Sequence, residues 1–481
     1  MKTTLKQNLE WFCACFLIGI LLMGTHADAA LPLNEAFATS AQSVLSDKNT
    51  IVYTAVLPEI PVSDDGLVYL YDMQPFEYTV APDAVAVAAL PASLNPSFSI
   101  AYNNSRLYKK LGLAVKVNGQ NVLIAYPQYI SNPELLATHT RARKGRNFVS
   151  VQGKQFNNLF LSTNMNVGYP GPFSTLQILN NGSNQSITNP YARTGIMPMD
   201  THPVAPNYYM LNASEPGAIN TLTTYLSKYA AASPAENYII GNEVNNRKWN
   251  YMMWTDWDHY MREYTQAFRV CYNAIKSQNA NARVFVCLDQ NWDRNRAATH
   301  TEYYEYIDGK DFLDKFNAQI SREGNIDWCV AQHPYPVPLT NAKFWDLSGC
   351  QDGSYMAAQV AKDKMITFQN LSVLTNYLQR PEMISPTGAV RHVILSEIGI
   401  TNAQGVEVQA VAMQASYVAA KSNPYINEII YLLAYSEPMI DTRLSGQAKL
   451  VFDSFGTAKE AELDAWAKAY IGITDWSQVL R

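Results

Sequence analysis

From about residue 150 onwards the chain alternates short apolar runs with longer amphipathic stretches, and this alternation constrains the fold more than any other feature. The apolar runs have the length of strands. The stretches between them carry apolar residues at spacings of three and four, which is typical of helices. Strands that alternate with helices form parallel sheets, and eight such units close into a barrel. The sequence therefore predicts an α/β fold with a (β/α)8 TIM barrel over residues 146–481.

The individual elements can be placed from the same pattern. Predicted strands lie at 159–161, 238–241, 284–288, 327–331, 392–396 and 429–434, and predicted helices at 256–278, 302–319, 364–379 and 403–421. Counting back from the C-terminus makes 238–241 the fourth strand and 392–396 the seventh. The stretch 163–235 has to hold strands two and three, yet only 195–199 and 207–211 are strand-like. We therefore expect a barrel that is distorted at strands two and three.

Residues before 146 follow a different pattern, with short strand-like runs at 68–71, 98–102 and 113–117. Asn118-Gly119 separates two alternating apolar segments, which is a strong signal for a two-residue hairpin turn. We expect residues 30–145 to form a small β-sandwich-like module.

The first 29 residues have the features of a signal peptide. Lys2 and Lys6 form a basic start, residues 11–23 are an apolar run too short to span a bilayer comfortably, and residues 27–29 offer small residues at a cleavage point. We expect cleavage after Ala29 and secretion to the extracellular or periplasmic space, with an uncleaved anchor as the alternative. The rest of the sequence has no segment long and apolar enough to be transmembrane, so we expect no membrane span after cleavage.

Composition narrows the class of ligand. The net charge is −5 and no basic face is evident, so nucleic acid is not expected as a partner. Charged residues make up 16% of the chain against a typical quarter, while tyrosine, asparagine, serine and glutamine are plentiful. This balance favours a neutral, hydroxyl-rich ligand such as an oligosaccharide or polysaccharide.

Two of the six cysteines lie in the predicted signal peptide, which leaves Cys271, Cys287, Cys329 and Cys350. Neither these cysteines nor the histidines have metal-ligand spacing, so we expect no metal and no cofactor. Buried unpaired thiols are the common outcome for cysteines in apolar runs. A Cys329–Cys350 disulfide stays open, because an exported chain can oxidise.

Two glutamates, about 150 residues apart, each close an apolar run: Glu243 follows 238–241 and Glu397 follows 392–396. In a barrel both would lie at the carboxyl edge, where active sites are found. Glycoside cleavage needs two facing carboxylates, since one protonates the leaving oxygen while the other supplies negative charge to the sugar carbon. By contrast, Asn427-Glu428 precedes its strand, which predicts a place on the opposite, stabilising face.

Each glutamate also has a structural interpretation, as a helix cap or the partner of an arginine. Asp289 and Glu437 are rival carboxylates, because they end the fifth and eighth strands. For these two we expect a substrate contact or a structural role.

Asn242-Glu243 at the end of strand four and Glu397 at the end of strand seven resemble clan A of the retaining glycoside hydrolases. Over about residues 65–440 the chain also resembles a family of secreted, clan-A-like barrels of unassigned activity. That second likeness rests on five ordered motifs: Gly241-Asn-Glu-Val-Asn245, Trp249-Asn-Tyr251, Gly324-Asn-Ile-Asp-Trp328, His333-Pro-Tyr335 and Ser396-Glu-Ile-Gly399.

The resemblance implies a role for each matching residue. Glu243 would be the acid/base, Glu397 the nucleophile, and Asn242 the residue that binds the sugar's 2-hydroxyl group. The reaction would be a double displacement with the two carboxyl groups about 5–5.5 Å apart. Tyr335 would orient the nucleophile, and His333 would line the same site.

Aromatic residues offer independent support for a sugar ligand. Trp249, Trp292 and Trp345 follow strands four, five and six, and exposed rings there would contact the flat C–H faces of sugars. The clan often has tryptophan at the end of strand eight, where this chain has Tyr435. We therefore predict a secreted retaining glycoside hydrolase acting on a β-linked glycan by hydrolysis or transglycosylation. The alternative is a carbohydrate-binding barrel without catalysis.

Overall fold

The computed structural model of this 481-residue chain contains an N-terminal antiparallel β region followed by a parallel sheet with helices. It describes residues 38–139, 150–154, 158–160, 175–180, 211, 213–232, 235–246, 257–294, 307–350, 353–433, 436–437 and 440–481. The predicted boundary at 145 and the predicted signal peptide lie outside these residues, and both stay predictions.

The N-terminal region consists of two antiparallel sheets. Its strands are β1 Ser40–Asp47, β2 Thr50–Val56, β3 Leu67–Met73, β4 Ala88–Pro91, β5 Ser97–Ala101, β6 Lys110–Val117, β7 Gln120–Leu123 and β8 Gln128–Tyr129. One sheet has the order β1-β2-β5, and the other has the order β4-β3-β6-β7 with β8 beside β6. Ile51 and Phe98 of the first sheet share one hydrophobic cluster with Leu70 and Leu113 of the second. The alternation of apolar residues along each strand produces this shared core.

The hairpin predicted at Asn118-Gly119 is confirmed. Val117 pairs with Gln120 across the turn, and the φ angles of Asn118 and Gly119 are 52° and 73°. A type I′ turn requires positive φ at both central residues, which asparagine and glycine adopt most readily.

The second part of the chain is built on a parallel sheet. Its strands are β9 Ser150–Lys154, β10 Asn158–Phe160, β11 Thr175–Asn180, β12 Asn237–Ile240, β13 Arg283–Leu288, β14 Trp328–Gln332, β15 Val393–Ile398 and β16 Ile426–Leu432. The order is β10-β11-β12-β13-β14-β15-β16-β9, and every neighbouring pair is parallel. The two end strands are separated by residues 155–157, which span at most about 15 Å. The sheet is therefore curled so that its ends approach each other.

Two short strands, β17 Ser436–Glu437 and β18 Ile440–Asp441, form a hairpin after the sheet. The described helices are α1 Pro216–Ala232, α2 Trp257–Lys276, α3 Gly309–Arg322, α4 Gly353–Ala361, α5 Ser372–Tyr377, α6 Val406–Lys421, α7 Gly446–Ser454 and α8 Glu460–Ile471. None of these helices combines the length and the hydropathy that crossing a bilayer requires.

Within the described residues, most predicted elements are confirmed to within a few residues. Three predicted helices correspond to α2, α3 and α6, whereas the one predicted at 364–379 shrinks to the six-residue α5. Helix α1 was not predicted. Of the two strand-like segments expected before it, 195–199 lies outside the described residues and only Leu211 of 207–211 is described, outside any strand.

Strand β11 was also not predicted, because two of its buried positions are polar. The Thr175 hydroxyl donates to Glu428 Oε2 over 2.6 Å, and the Gln177 amide donates to Asn242 Oδ1 over 2.8 Å. These partners are far away in the sequence. A strand that exchanges polar contacts inside the sheet lacks the continuous apolar run that marks a buried strand.

Strands β12 to β16 are buried on both faces. One face carries a compact inner cluster, and the other packs with the helices into the largest core of the molecule. The inner cluster consists of Ile239, Phe285, Cys287, Cys329, Ala331 and Ile394. The four described cysteines are free, so the Cys329–Cys350 disulfide left open above is not present.

A buried ion pair joins the N-terminal region to the helices. Lys110 Nζ of β6 lies 3.4 Å from Glu323 Oε1 just after α3, and both side chains are almost inaccessible. The ammonium group also lies 3.5 Å from the centre of the Tyr78 ring. The backbone N–H of Tyr129 donates to the Glu323 carbonyl over 2.9 Å. A paired charge is tolerated here because its neighbours replace the lost water.

We predict that Lys110→Ala destabilises the protein strongly, because the Glu323 carboxylate would stay buried without its cation. The free energy of unfolding, measured by urea denaturation, should fall by roughly 3–5 kcal/mol. Lys449→Ala is the matched control, since it removes the exposed partner of Asp453 one turn away in α7. That variant should cost no more than about 0.5 kcal/mol. Equal losses in the two variants would contradict the prediction.

Candidate active site

Glu243 and Glu397 both lie at the carboxyl edge of the parallel sheet. Glu243 stands three residues after β12, and Glu397 is the penultimate residue of β15. Strands β13 and β14 lie between them in the sheet. Because all these strands are parallel, their carboxyl ends meet at one edge, and residues far apart in the sequence come together there.

The backbone at Glu243 is strained. Glu243 has a φ of 41° and Gly241 a φ of 85°, both in the left-handed region. A non-glycine residue there costs on the order of 1–3 kcal/mol and persists only where its surroundings impose it. The turn is fixed by hydrogen bonds from Gly241 N to the Ile178 carbonyl (2.7 Å) and from Val244 N to the Cys287 carbonyl (2.9 Å). Strain of this kind clusters at functional sites.

His333 holds the Glu243 side chain. It follows β14, is fully buried, and places Nδ1 2.9 Å from Glu243 Oε1. Its Nε2 lies 2.9 Å from Ser396 Oγ and 3.3 Å from Cys287 Sγ. Burial works against the imidazolium ion, whereas the Cys287 sulfur and the carboxylates of Glu243 and Glu397 favour it. The balance raises the pKa of His333 well above its usual value.

Tyr335 holds Glu397 in a similar way. Its hydroxyl donates to Glu397 Oε1 over 2.9 Å, and its ring packs edge-on against the His333 ring at 6.4 Å. Gly399 lies directly beneath this ring. A Cβ atom at Gly399 would come within 3.0 Å of Tyr335 Cε1 and 2.9 Å of Ile440 Cδ1. The absence of a side chain at Gly399 therefore allows Tyr335 to reach Glu397.

Asn242 is oriented by Gln177, a residue for which the sequence alone indicates no role in the site. The Gln177 amide of β11 donates to Asn242 Oδ1 (2.8 Å) and to the Gly241 carbonyl (3.1 Å). With Oδ1 accepting this hydrogen bond, the Asn242 amide group has N–H donors to offer a ligand. The polar residues of 175–180 lie in the stretch 163–235, where only 195–199 and 207–211 looked strand-like, so the sequence offered no signal for this strand.

Asp289 lies beside the same edge, after β13, in a dense amide network. Its carboxylate accepts hydrogen bonds from the side chains of Asn245 (2.7 Å), Asn246 (2.9 Å) and Asn291 (2.6 Å). Burial and the nearby charge of Glu243 raise the pKa of Asp289 to about 6, against the opposing effect of the hydrogen bonds. Because its oxygens already accept hydrogen bonds from these amides, Asp289 is suited to holding the segment after β12 against the segment after β13.

Of the aromatic residues predicted to contact sugars, only some lie within the described residues. Trp292 is 4% exposed and packs edge-on against Tyr377 at 5.0 Å, within the main core, so its rings are not available to a sugar. Trp345 is half-buried and packs against Phe344. Trp249 and Tyr435 lie outside the described residues. Among the described residues, no group of three or more histidine, cysteine, aspartate or glutamate side chains is arranged to hold a metal ion.

The opposite edge of the sheet carries the other Asn-Glu pair. Glu428 Oε2 accepts hydrogen bonds from Thr175 (2.6 Å) and Asn237 (2.9 Å), the first residues of β11 and β12. The prediction that Asn427-Glu428 lies on the opposite, stabilising face is confirmed. Its carboxylate ties the amino ends of three strands together.

A sequence model of one protein family, described as a family of unknown function (DUF5722), matches residues 173–479, which is more than half of the chain. This chain belongs to the DUF5722 family. The matched residues include Asn242, Glu243, His333, Tyr335 and Glu397. No curated protein matches this DUF5722 member.

Several solved structures are similar to this DUF5722 member at low identity. A β-glucosidase from Pyrococcus furiosus is 13% identical, with 62% of this chain and 69% of that chain covered and a TM-score of 0.37. A family 39 glycoside hydrolase from Bacteroides cellulosilyticus WH2 is 11% identical, with 82% and 76% covered and a TM-score of 0.37. An endo-1,4-β-mannanase from Rhizomucor miehei is 14% identical, with 60% and 72% covered and a TM-score of 0.32. All three scores lie below 0.5.

We predict that Gly399→Ala disturbs the contact between Tyr335 and Glu397, because the added methyl group overlaps the Tyr335 ring. The free energy of unfolding should fall by about 1–3 kcal/mol in urea denaturation. Gly349→Ala is the control, since a Cβ atom there meets nothing within 4 Å. A Gly399→Ala variant as stable as Gly349→Ala would show that the ring has room to move.

A second prediction concerns pH. The raised pKa of Asp289 means that its protonated form favours folding, so this contribution is complete below pH 4 and is lost as the pH rises through about 6. Asp289→Asn removes the titrating group, and it changes the free energy of unfolding by an amount that does not depend on pH. Between pH 4 and pH 7, the wild type should lose roughly 2–3 kcal/mol of stability relative to this variant in urea denaturation. Parallel stability profiles would contradict the raised pKa.

Proposed function

We propose that this protein is a secreted retaining glycoside hydrolase that cleaves a β-linked glycan in an oligosaccharide or polysaccharide. One observation carries the proposal: two carboxylates at the same edge of a parallel sheet are each held at Oε1 by a ring that follows β14, one of the two strands between them. His333 holds Glu243, and Tyr335 holds Glu397. This arrangement supports one carboxylate as a proton donor and the other as a nucleophile.

The proposed reaction has two steps. In the first, a Glu397 oxygen attacks the anomeric carbon, the glycosidic bond breaks, and Glu243 gives its proton to the leaving oxygen. In the second, Glu243 removes a proton from water, the water oxygen attacks the anomeric carbon, and the bond to Glu397 breaks. Both steps invert the anomeric carbon, so the product keeps the configuration of the substrate.

The neighbours of the two glutamates support these roles. Tyr335 donates to Oε1 of Glu397, which fixes the orientation of the carboxylate that is proposed to attack. His333 lies against Oε1 of Glu243, so Oε2 is the oxygen that exchanges a proton with the substrate. Once Glu243 has given up its proton, an Nδ1–H group of His333 would stabilise the new carboxylate.

We also propose which residues bind the sugar. Asn242, oriented by Gln177, would donate to the 2-hydroxyl group. Trp345, together with Trp249 and Tyr435, would supply aromatic surface for the sugar's C–H faces. Trp292 is not included, because it is packed in the core.

The wider organisation is part of the proposal. We place the site on a closed (β/α)8 barrel over 146–481, preceded by a β-sandwich-like module over 30–145 and a signal peptide over 1–29. The continuous parallel pairing from β10 to β9 supports a closed barrel. The two antiparallel sheets around one core support a sandwich-like module.

The test is sugar release from a broad panel of β-glycans and aryl β-glycosides. We expect the wild type to release sugar with retained configuration, as read by proton NMR of the first product. Glu397→Gln should lose activity by at least about a thousandfold on every substrate, because an amide cannot form the glycosyl-enzyme. Glu407→Gln, an exposed glutamate on α6, is the matched control and should behave as the wild type.

Glu243→Gln separates the two roles. This variant should fail on natural glycans yet still form the glycosyl-enzyme with aryl glycosides whose leaving groups need no protonation. Full activity in Glu397→Gln would refute the nucleophile. Binding of glycans by a folded wild type that releases no product would favour the carbohydrate-binding alternative.

A further inference from the structure

We infer that Cys287 is a positioning residue for Glu243, acting on both its backbone and its carboxylate. The inference rests on the proposed function, since it assigns a role within the same site. A glycoside hydrolase mechanism with two glutamates has no task for a thiol. Cys287 nevertheless lies at the centre of the contacts that fix the proposed acid/base.

The first line of evidence is the backbone of Glu243. The N–H of Glu243 donates to Cys287 Sγ over 3.4 Å, and the N–H of Val244 donates to the Cys287 carbonyl over 2.9 Å. These two bonds join the turn after β12 to the end of β13. The φ of Glu243 is 41°, a conformation that persists only where contacts impose it. Cys287 supplies two of those contacts.

The second line of evidence is the imidazole that binds the Glu243 carboxylate. Cys287 Sγ and Ser396 Oγ lie 3.3 Å and 2.9 Å from His333 Nε2, on the far side of the ring from Glu243. A thiol and a hydroxyl group can each donate or accept a hydrogen bond. Cys287 and Ser396 can therefore form a hydrogen bond with His333 Nε2 whether or not Nε2 carries a proton.

These contacts suit a neighbour of Glu243, because Glu243 loses and regains a proton during the proposed reaction. Because Glu243 is proposed to exchange its proton at Oε2, the Nδ1–H of His333 can donate to Oε1 in both states of Glu243. Nε2 accepts from the thiol or the hydroxyl group when His333 is neutral, and it donates to one of them when His333 is charged. The groups that face the ring are Cys287 of β13, Glu243 after β12, Ser396 and Glu397 of β15, and Tyr335 beyond β14.

Cys271 offers a matched comparison within the same chain. It is as deeply buried as Cys287, but it lies on α2 in the core between the helices and the sheet. Replacing either cysteine by alanine removes one sulfur atom from a packed interior. The loss of packing is thus similar in the two variants, and only Cys287 contacts His333 and Glu243.

The experiment compares Cys287→Ala, Cys287→Ser and Cys271→Ala with the wild type. We expect kcat of Cys287→Ala to fall between about tenfold and a hundredfold with a smaller change in KM, because a misplaced acid/base slows the chemical step more than binding. In a plot of kcat/KM against pH, the basic limb should shift to lower pH, because His333 has lost a partner that favours its charged form. Cys287→Ser should recover most of kcat, and Cys271→Ala should match the wild type.

A second readout does not depend on activity. The ring of His333 can be titrated by NMR on histidine-labelled protein, with His333→Gln used to assign its signal. We expect its pKa to fall in Cys287→Ala and to stay unchanged in Cys271→Ala. If Cys287→Ala does not fold, as judged by circular dichroism, Cys287→Val takes its place, because valine fills the space but forms no side-chain hydrogen bond. A lowered His333 pKa in that variant supports the role of Cys287, and an unchanged pKa overturns it.

The outcomes separate the two proposals. A folded Cys287→Ala variant with the kcat, pH profile and His333 titration of Cys271→Ala would overturn the role of Cys287. Absence of sugar release by the wild type would overturn the proposed function. In that case the NMR titration still decides whether Cys287 acts on His333: a fall in its pKa supports the contact, and no change overturns it.

Discussion

The buried side chain of His333, which follows β14, contacts residues on or just after β12, β13 and β15, and the candidate site depends on these contacts. Its Nδ1 lies against Glu243 after β12, its Nε2 against Ser396 of β15 and Cys287 of β13, and its backbone N–H donates to Leu288. A polar group without water needs a protein partner, and in such a network each partner depends on the others. The ring therefore fixes the relative positions of residues that the chain itself leaves far apart.

The two edges of the sheet use the same residue types for different purposes. At the amino edge, Glu428 accepts hydrogen bonds from Thr175 and Asn237, so its carboxylate stabilises the ends of three strands. At the carboxyl edge, Glu243 and Glu397 are each held by a ring at Oε1. This edge also has the strained backbone of Glu243 and, at Gly399, a position where a side chain would overlap the Tyr335 ring. Such local departures from ideal geometry are expected where function, rather than stability, selects the conformation.

Asp289 shows how neighbouring carboxylates acquire different properties. It is surrounded by asparagine side chains and buried, so its charge is stabilised by hydrogen bonds and opposed by desolvation and by Glu243. By sequence Asp289 is a rival to the two glutamates, because it also ends a strand. Only the packing of Asn245, Asn246 and Asn291 around it favours a structural role.

From the sequence alone it was possible to predict strands β12 to β16, helices α2, α3 and α6, the hairpin at Asn118-Gly119, and the edge of the sheet on which Glu243, Glu397 and Glu428 lie. Periodicity and chain direction are local properties, and they are sufficient for these conclusions. Strand β11, the burial of Trp292, and the contacts of Gln177 and Cys287 were decided by the tertiary structure alone. Each of them depends on partners that are distant in the sequence, and a polar residue shows its role only when the partner that satisfies it is known.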